Sequence, residues 1–238
     1  MTVTLPLIAA VAWLAGLAAL AGGWLAHVEG SAETTTKREF VHAMVALGGG
    51  LLLAGVAYAL TAPAMERLAP GWLAVCFVGG GVVTAALDRW VARHTGPKAQ
   101  LMALLADYLP EALSLGAVFT LDPRLGLLLA AFIGAQNLPE GFNAFLELKA
   151  AGRSPRQALA ALAWLSLLGP LAAVTGHLLL HDAPDTTAAL MAMAGGGILY
   201  LVFQDIAPKA PMRNHRLPPL GAVLGYALGM LAAQALGH

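Results

Sequence analysis

The sequence predicts an all-α integral membrane protein, because it is far more apolar than a soluble domain and its apolar residues fall into long continuous segments. Of its residues 59% are hydrophobic and 11% are charged, and the mean hydropathy is +0.74. Soluble globular domains carry about 25% charged residues. The zero formal net charge also gives no general attraction to nucleic acid, so we expect no nucleic-acid partner.

Eight apolar segments are long enough to cross about 30 Å of hydrocarbon as helices. The connections between them are short and contain proline, glycine and charge, so residues 1–238 are expected to form one polytopic domain. The first segment lacks a basic leader and is longer than the apolar part of a signal peptide, so we expect it to be retained. The predicted spans are residues 5–27, 40–62, 71–90, 101–121, 125–148, 157–181, 186–206 and 218–236.

The positive charges predict an orientation, because cytoplasmic loops of membrane proteins are enriched in lysine and arginine. Arg67 and Arg124 are the two positive residues in the even-numbered connections. The other eleven lie in the odd-numbered connections or at the adjoining helix ends. Both termini are therefore expected outside the cytoplasm, as in an eight-helix bundle. We expect the cell membrane as the location, and a bacterial inner membrane in particular.

Two similar motifs place charge inside apolar segments. They are Asp107-Tyr-Leu-Pro-Glu111-Ala in the fourth segment and Gln136-Asn-Leu-Pro-Glu140-Gly in the fifth. Residues four apart share one face of a helix, and Asp122, Pro123 and Arg124 alone separate the two predicted spans. The two helices are therefore expected to be antiparallel neighbours with their polar faces together. A charge at the bilayer centre costs about 3 kcal/mol and normally faces a partner, an ion or water.

The motifs combine three carboxylates and one amide with two helix prolines. Pro110 and Pro139 cannot donate a hydrogen bond to the carbonyls of Ala106 and Ala135, and such carbonyls are tolerated at membrane depth where they line a polar site. Three acids this close cannot all stay ionised without a compensating cation. The species that compensates the charge of these acids is thus a divalent cation or a proton. The structural alternative is a neutral, hydrogen-bonded carboxyl cluster that joins two helices.

The paired motifs resemble those of the ZIP (Zrt-/Irt-like) family of divalent metal transporters. That family typically has His-Asn-x-Pro-Glu-Gly on its fourth helix and a second His or Gln version on its fifth. The stretch from Gly197 to Pro208, which contains Gln204 and Asp205, is similar to the family's seventh-helix end. The stretch from Leu165 to Leu171 is similar to its sixth-helix Glu-Pro-Leu signature. The resemblance implies an eight-helix carrier that moves a divalent cation into the cytoplasm.

The resemblance also implies a metal site between the fourth and fifth helices, made of Asp107, Glu111, Gln136 and Glu140. Family members often have a second site beside it, and here the matching positions are Tyr108, Asn137 and Gly169. Tyrosine replaces the usual asparagine and glycine replaces the usual glutamate. We therefore expect the second metal to be absent, with Asn137 able to lend an oxygen to the first.

The identity of the metal follows less directly from the motifs. Asp107 replaces the family's usual histidine, and carboxylate and amide oxygens suit harder ions better than zinc. Zinc remains the first expectation, with iron(II) and manganese as alternatives. The metal is the substrate, and no organic cofactor is expected.

Other polar residues near the predicted cytoplasmic helix ends are expected to have smaller roles in transport. Gln204 and Asp205 are candidates for the exit route of the ion, and the alternative is that Asp205 pairs with Lys209 at the helix end. Glu147, two residues before Lys149, is interpreted as an interfacial charge.

The sequence contains no Gly-x-x-x-x-Gly-Lys-[Ser/Thr], His-Glu-x-x-His or Gly-x-Ser-x-Gly motif, so we expect neither an ATP-driven pump nor an enzyme. The alternative function is a degenerate family member, a sensor or structural subunit, that binds metal or protons without efficient transport. The expected partners are the lipid bilayer and a divalent cation. Glycine triplets in the second, third and seventh segments indicate that these helices pack closely against neighbours or bend. Faces rich in small residues would also allow a homodimer.

Overall fold

The computed structural model describes residues 4–29, 34–94, 99–180, 182–211 and 215–235, apart from the side chains of 29, 37, 91, 92, 94, 99–107, 120 and 121. All regular secondary structure in the described residues is helical. Two helices contain a π-helical turn: α2 between its two α-helical parts, and α7 near its end. The helices are α1 (Leu5–Glu29), α2 (Thr35–Ala54, Gly55–Thr61 and Ala62–Arg67), α3 (Pro70–His94), α4 (Ala99–Leu121), α5 (Pro123–Ala150), α6 (Pro155–Leu180), α7 (Pro184–Leu201, Val202–Ile206 and Ala207–Lys209) and α8 (Leu217–Ala235).

Six helices are long and apolar enough to cross a membrane, as judged on the described residues: α1, α2, α3, α6, α7 and α8. The other two, α4 and α5, carry the polar motifs, and in α4 the described apolar stretch is Tyr108–Phe119. Large apolar side chains such as Trp72, Trp164 and Leu179 point away from the protein interior, where lipid can cover them. The prediction of a helical membrane bundle is confirmed, whereas the number of spans and the position of the termini stay predictions.

The helices run beyond most of the predicted spans, and capping side chains mark the start of two of them. Asp122 caps α5, since its Oδ1 accepts a hydrogen bond of 2.7 Å from the Arg124 amide, and Pro123 occupies the first helical position. Ser154 and Gln157 form a capping box at the start of α6. The predicted ends at His181 and Leu236 lie outside the described residues.

The helices pack in two groups that meet where α5 contacts α2 and where α4 contacts α7. In the first group α1 packs on α5 and α6, and α4 packs on α6 and α5. In the second group α2 packs on α8, and α3 packs on α7. Glycines allow the close approaches: a Cβ on Gly50 of α2 or on Gly80 of α3 would overlap the main chain of α8 or α7. The expected close packing of the second, third and seventh helices is therefore confirmed at these contacts.

Candidate metal site between α4 and α5

A buried carboxylate and a buried amide join α4 to α5. Glu111 is 3% exposed and Gln136 is 2% exposed. The Gln136 Nε2 lies 2.6 Å from both Glu111 Oε1 and Glu111 Oε2, so the amide donates its hydrogens to the carboxylate. Because a single residue separates α4 from α5, the helices return side by side and these two side chains face each other. The predicted meeting of the two polar faces is observed at this pair.

The remaining predicted ligands lie on the same two helices. Glu140 is half-buried and lies one helical turn after Gln136, on the same face of α5. Asp107 belongs to α4, but its side chain lies outside the part of the chain that the structure describes. Within that part, the structure groups no three His, Cys, Asp or Glu side chains closely enough to hold a metal ion. The described donors near the site are thus Glu111, Gln136 and Glu140.

Asn137 connects the site to a third helix. Its side chain is buried, and its Nδ2 donates a hydrogen bond of 2.9 Å to the main-chain carbonyl of Ala15 in α1. Asn137 therefore holds the motif-bearing turn of α5 against α1. Sequence reasoning considered this residue only as an oxygen donor and missed its role between helices, because nothing in the local pattern shows which helix lies behind α5.

Tyr108 fills the space between α4, α1 and α6. Its side chain is 2% exposed, and its hydroxyl donates a hydrogen bond of 3.2 Å to the Ala12 carbonyl of α1. A Cβ on Gly169 of α6 would overlap the Tyr108 hydroxyl and lie 2.6 Å from Cζ. A Cβ on Gly16 of α1 would also overlap the hydroxyl. The two departures from the family pattern are therefore complementary, since the ring at 108 needs a glycine at 169.

A cavity reaches the site from the side of α3 and α7. It measures about 150 Å³, and Glu111 and Ser114 line it from α4, with Thr84 from α3. Glu111 is the one charged side chain among the described residues that line it. The volume is large enough for several water molecules. The carboxylate thus lies at the boundary between the two helix groups, on the wall of this cavity.

The predicted exit residues lie on the π-helical turn of α7. Gln204 is exposed and Asp205 is half-buried. Asp205 Oδ1 lies 3.8 Å from Lys209 Nζ, one turn further along. The same Nζ lies 3.6 Å from Glu147 Oε1 of α5, an ion pair that sequence reasoning missed. The four-residue spacing of Asp205 and Lys209 indicated the first contact, whereas no signal indicated the second.

These features define a polytopic helical membrane protein whose polar residues meet inside the bundle. Residues 99–234 match the family model described as ZIP Zinc transporter, and this range contains both motifs and more than half of the chain. The chain therefore belongs to the ZIP family, as its motifs predicted. The match begins at α4, so α1, α2 and α3 lie outside it.

The chain is also similar to a curated bacterial protein. The chain is 30% identical over 139 residues to the zinc transporter GufA of Myxococcus xanthus. The match covers 58% of this chain and 55% of the relative, so the chain spans about half the length of the curated protein that it matches.

Proposed function

We propose that this protein carries a divalent metal cation across a membrane into the cytoplasm, through one site formed by Asp107, Glu111, Gln136 and Glu140. The observation that carries the proposal is the buried Glu111–Gln136 pair, which joins two helices of a ZIP family member. A carboxylate in the interior of a membrane bundle costs about 3 kcal/mol and is normally found where it faces an ion or a partner. Metal binding gives this charge a function.

The present hydrogen bonds suggest how an ion enters the site. Gln136 Nε2 occupies the position in front of both Glu111 oxygens that a cation would take. Rotation of the Gln136 amide by half a turn exchanges its nitrogen for its oxygen, which is a metal ligand. The ion thus replaces the amide hydrogens as the partner of Glu111, and Glu140, one turn further along α5, closes the site. Asn137 keeps that turn of α5 against α1 and has an oxygen to lend.

The charge pattern and the membrane potential set the direction of transport. We place all eight helices across the membrane with the start of α1 and the end of α8 outside, because eleven of the thirteen lysines and arginines then lie on the cytoplasmic side. Moving one charge across 100 mV is worth about 2.3 kcal/mol, so an entering dication gains about 4.6 kcal/mol. Influx therefore needs no ATP.

The donor set favours zinc, iron(II) or manganese over softer ions. Zinc is our first choice, because the family model and GufA both carry that name. Carboxylate and amide oxygens also suit manganese, and iron(II) lies between the two. We propose a single ion, because the Tyr108 ring occupies the space beside Gly169.

Elemental analysis of the purified protein tests the site. We expect about one divalent ion per chain in the parent and none in the double variant Glu111→Gln/Glu140→Gln, which keeps side-chain volume and removes two charges. Glu66→Gln/Asp185→Asn is the matched control, because both of these acids are exposed at helix ends. Equal metal content in the parent and the first double variant would remove the two glutamates as ligands.

The second candidate function is binding of metal or protons without efficient transport, by a sensor or a structural subunit. It is favoured by the loss of the second-site groups at Tyr108 and Gly169. Uptake of Zn²⁺ or Mn²⁺ into proteoliposomes separates the two functions. Retention of one ion per chain without uptake above that of the Glu111→Gln/Glu140→Gln variant would favour binding alone.

A further inference from the structure

A polar face of α5 leads from the candidate site to the end of the helix. Gln136, Glu140, Asn143 and Glu147 are spaced by four, three and four residues, so they lie on one face. At 1.5 Å per residue, Glu147 lies about 16 Å along the axis from Gln136. An ion that leaves the site along this face meets Glu147 last.

At this end of α5, one ammonium group lies between two carboxylates from different helices. Lys209 Nζ is 3.6 Å from Glu147 Oε1 of α5 and 3.8 Å from Asp205 Oδ1 of α7. The other Glu147 oxygen, Oε2, is buried and accepts no hydrogen bond from the described residues. The side chain thus has one oxygen on the lysine and one that no described residue hydrogen-bonds.

The main chain that carries Lys209 is fixed by its neighbours. The Lys209 carbonyl accepts a hydrogen bond of 2.7 Å from His42 Nδ1 of α2. The π-helical turn Val202–Ile206, just before it, sets the direction of both Asp205 and the last turn of α7. π-Helical turns occur frequently at functional sites. The position of the ammonium therefore depends on three helices.

We infer that Lys209 is a tethered cation that keeps the acid pair Glu147 and Asp205 from retaining the transported ion. The inference rests on the proposed function. The two carboxylates alone carry two negative charges and would hold a dication, whereas with Lys209 they carry one net negative charge. A metal ion that reaches them must displace the ammonium, and the ammonium returns when the ion leaves. Lys209 is thus a positioning residue for release, and it makes binding at the exit transient.

Binding of Mn²⁺ to the detergent-solubilised full chain tests this role. All variants are made in the Glu111→Gln/Glu140→Gln background, so that the central site does not contribute, and free Mn²⁺ is followed by its EPR signal. We expect Lys209→Gln to raise the affinity for Mn²⁺ by about tenfold, which is about 1.4 kcal/mol. Adding Glu147→Gln should return the affinity to the background value.

Two lysine variants serve as controls. Lys209→Arg keeps the charge and should bind Mn²⁺ as the background does. Lys149→Gln removes a positive charge from the same end of α5, but Lys149 lies over the Phe145 ring, with Nζ 5.9 Å from its centroid. It should leave the affinity unchanged. The inference would be overturned if Lys209→Gln bound Mn²⁺ no more tightly than Lys149→Gln. It would also be overturned if Lys209→Arg raised the affinity as much as Lys209→Gln does.

Transport gives a second readout that separates this inference from the proposed function. With the central site intact, Lys209→Gln should slow Mn²⁺ uptake into proteoliposomes several-fold, and Lys209→Arg should restore it. If the parent takes up Mn²⁺ and Lys209→Gln takes it up at the same rate, the inference is overturned and the proposed function stands. If the parent takes up no Mn²⁺ but the Mn²⁺ affinities are as expected, the proposed function is overturned. The ammonium of Lys209 would still be the group that keeps Mn²⁺ from Glu147 and Asp205.

Discussion

The substitution Gly169→Ala tests the fit between Tyr108 and α6. A Cβ at position 169 would overlap the Tyr108 hydroxyl and lie 2.6 Å from Cζ and 3.1 Å from Cε1. The ring has little room to retreat toward α1, because its hydroxyl already lies close to the main chain of Gly16. The ring must therefore leave its rotamer, or α6 must move away from α4.

The cost can be worked out from these contacts. Overpacking of a buried site costs about 1–3 kcal/mol. Displacement of the ring also breaks the hydrogen bond from Tyr108 to the Ala12 carbonyl, worth about 1 kcal/mol. The sum is about 2–4 kcal/mol. For a chain of this size, each kcal/mol moves the unfolding midpoint by about 2–4 °C, so we expect a fall of roughly 4–16 °C.

Thermal unfolding in detergent measures the effect, and Gly79→Ala is the matched control. Gly79 is also helical, but a Cβ there has no atom within 4 Å. Alanine is favoured over glycine in a helix by about 1 kcal/mol, so the control should be neutral or slightly stabilised. In the Tyr108→Ala background the cost of Gly169→Ala should disappear, because the atoms that clash are gone. A Gly169→Ala protein as stable as Gly79→Ala would refute the packing argument.

Three further predictions concern the candidate site. Gln136→Leu should destabilise the fold by about 1–3 kcal/mol, because the buried Glu111 carboxylate loses both hydrogen bonds, and it should lower the bound metal, because the proposed amide-oxygen ligand is gone; unchanged midpoint and metal content would contradict this. Asn137→Ala should lower the stability by about 1 kcal/mol through the lost bond to Ala15, yet keep its metal by elemental analysis. Loss of the metal would instead place Asn137 among the primary ligands. Zn²⁺ at about 100 times its Kd should stabilise the parent by about 2.7 kcal/mol in thermal unfolding and leave Glu111→Gln unchanged; an equal shift in both would show that zinc binds elsewhere.

The helical bundle and the contact between the polar faces of α4 and α5 could be predicted from the sequence. Apolar segment length predicted the helices, since any membrane helix must satisfy its own backbone and cover about 30 Å of hydrocarbon. Four-residue spacing and a short turn predicted that Glu111 would meet a polar group of α5, and it meets Gln136. Both arguments use distances along the chain that are short enough for helix geometry to decide them.

The contacts between distant helices were not accessible in the same way. The sequence showed that Tyr108 and Gly169 depart from the family pattern, but their mutual fit depends on how closely α4 approaches α6. Likewise, Glu147 was interpreted from its neighbour Lys149, whereas the ammonium that reaches it belongs to Lys209 of α7. Local patterns do not specify which helix faces which, and these pairs are set by the packing of whole helices.

We propose that two of the contacts that sequence reasoning missed affect the path of the ion in the same way. At Tyr108 a phenol ring fills the space beside Gly169, and at Lys209 an ammonium lies between two acids. In each case a group of the protein itself occupies a position where a dication would otherwise bind. Under the proposed function the ion then meets one deep binding site, at Glu111, Gln136 and Glu140, and we expect release from that site to be the slowest step of transport. It follows that weakening the central site moderately should speed turnover at saturating metal, whereas creating a second stop at Glu147 and Asp205 should slow it.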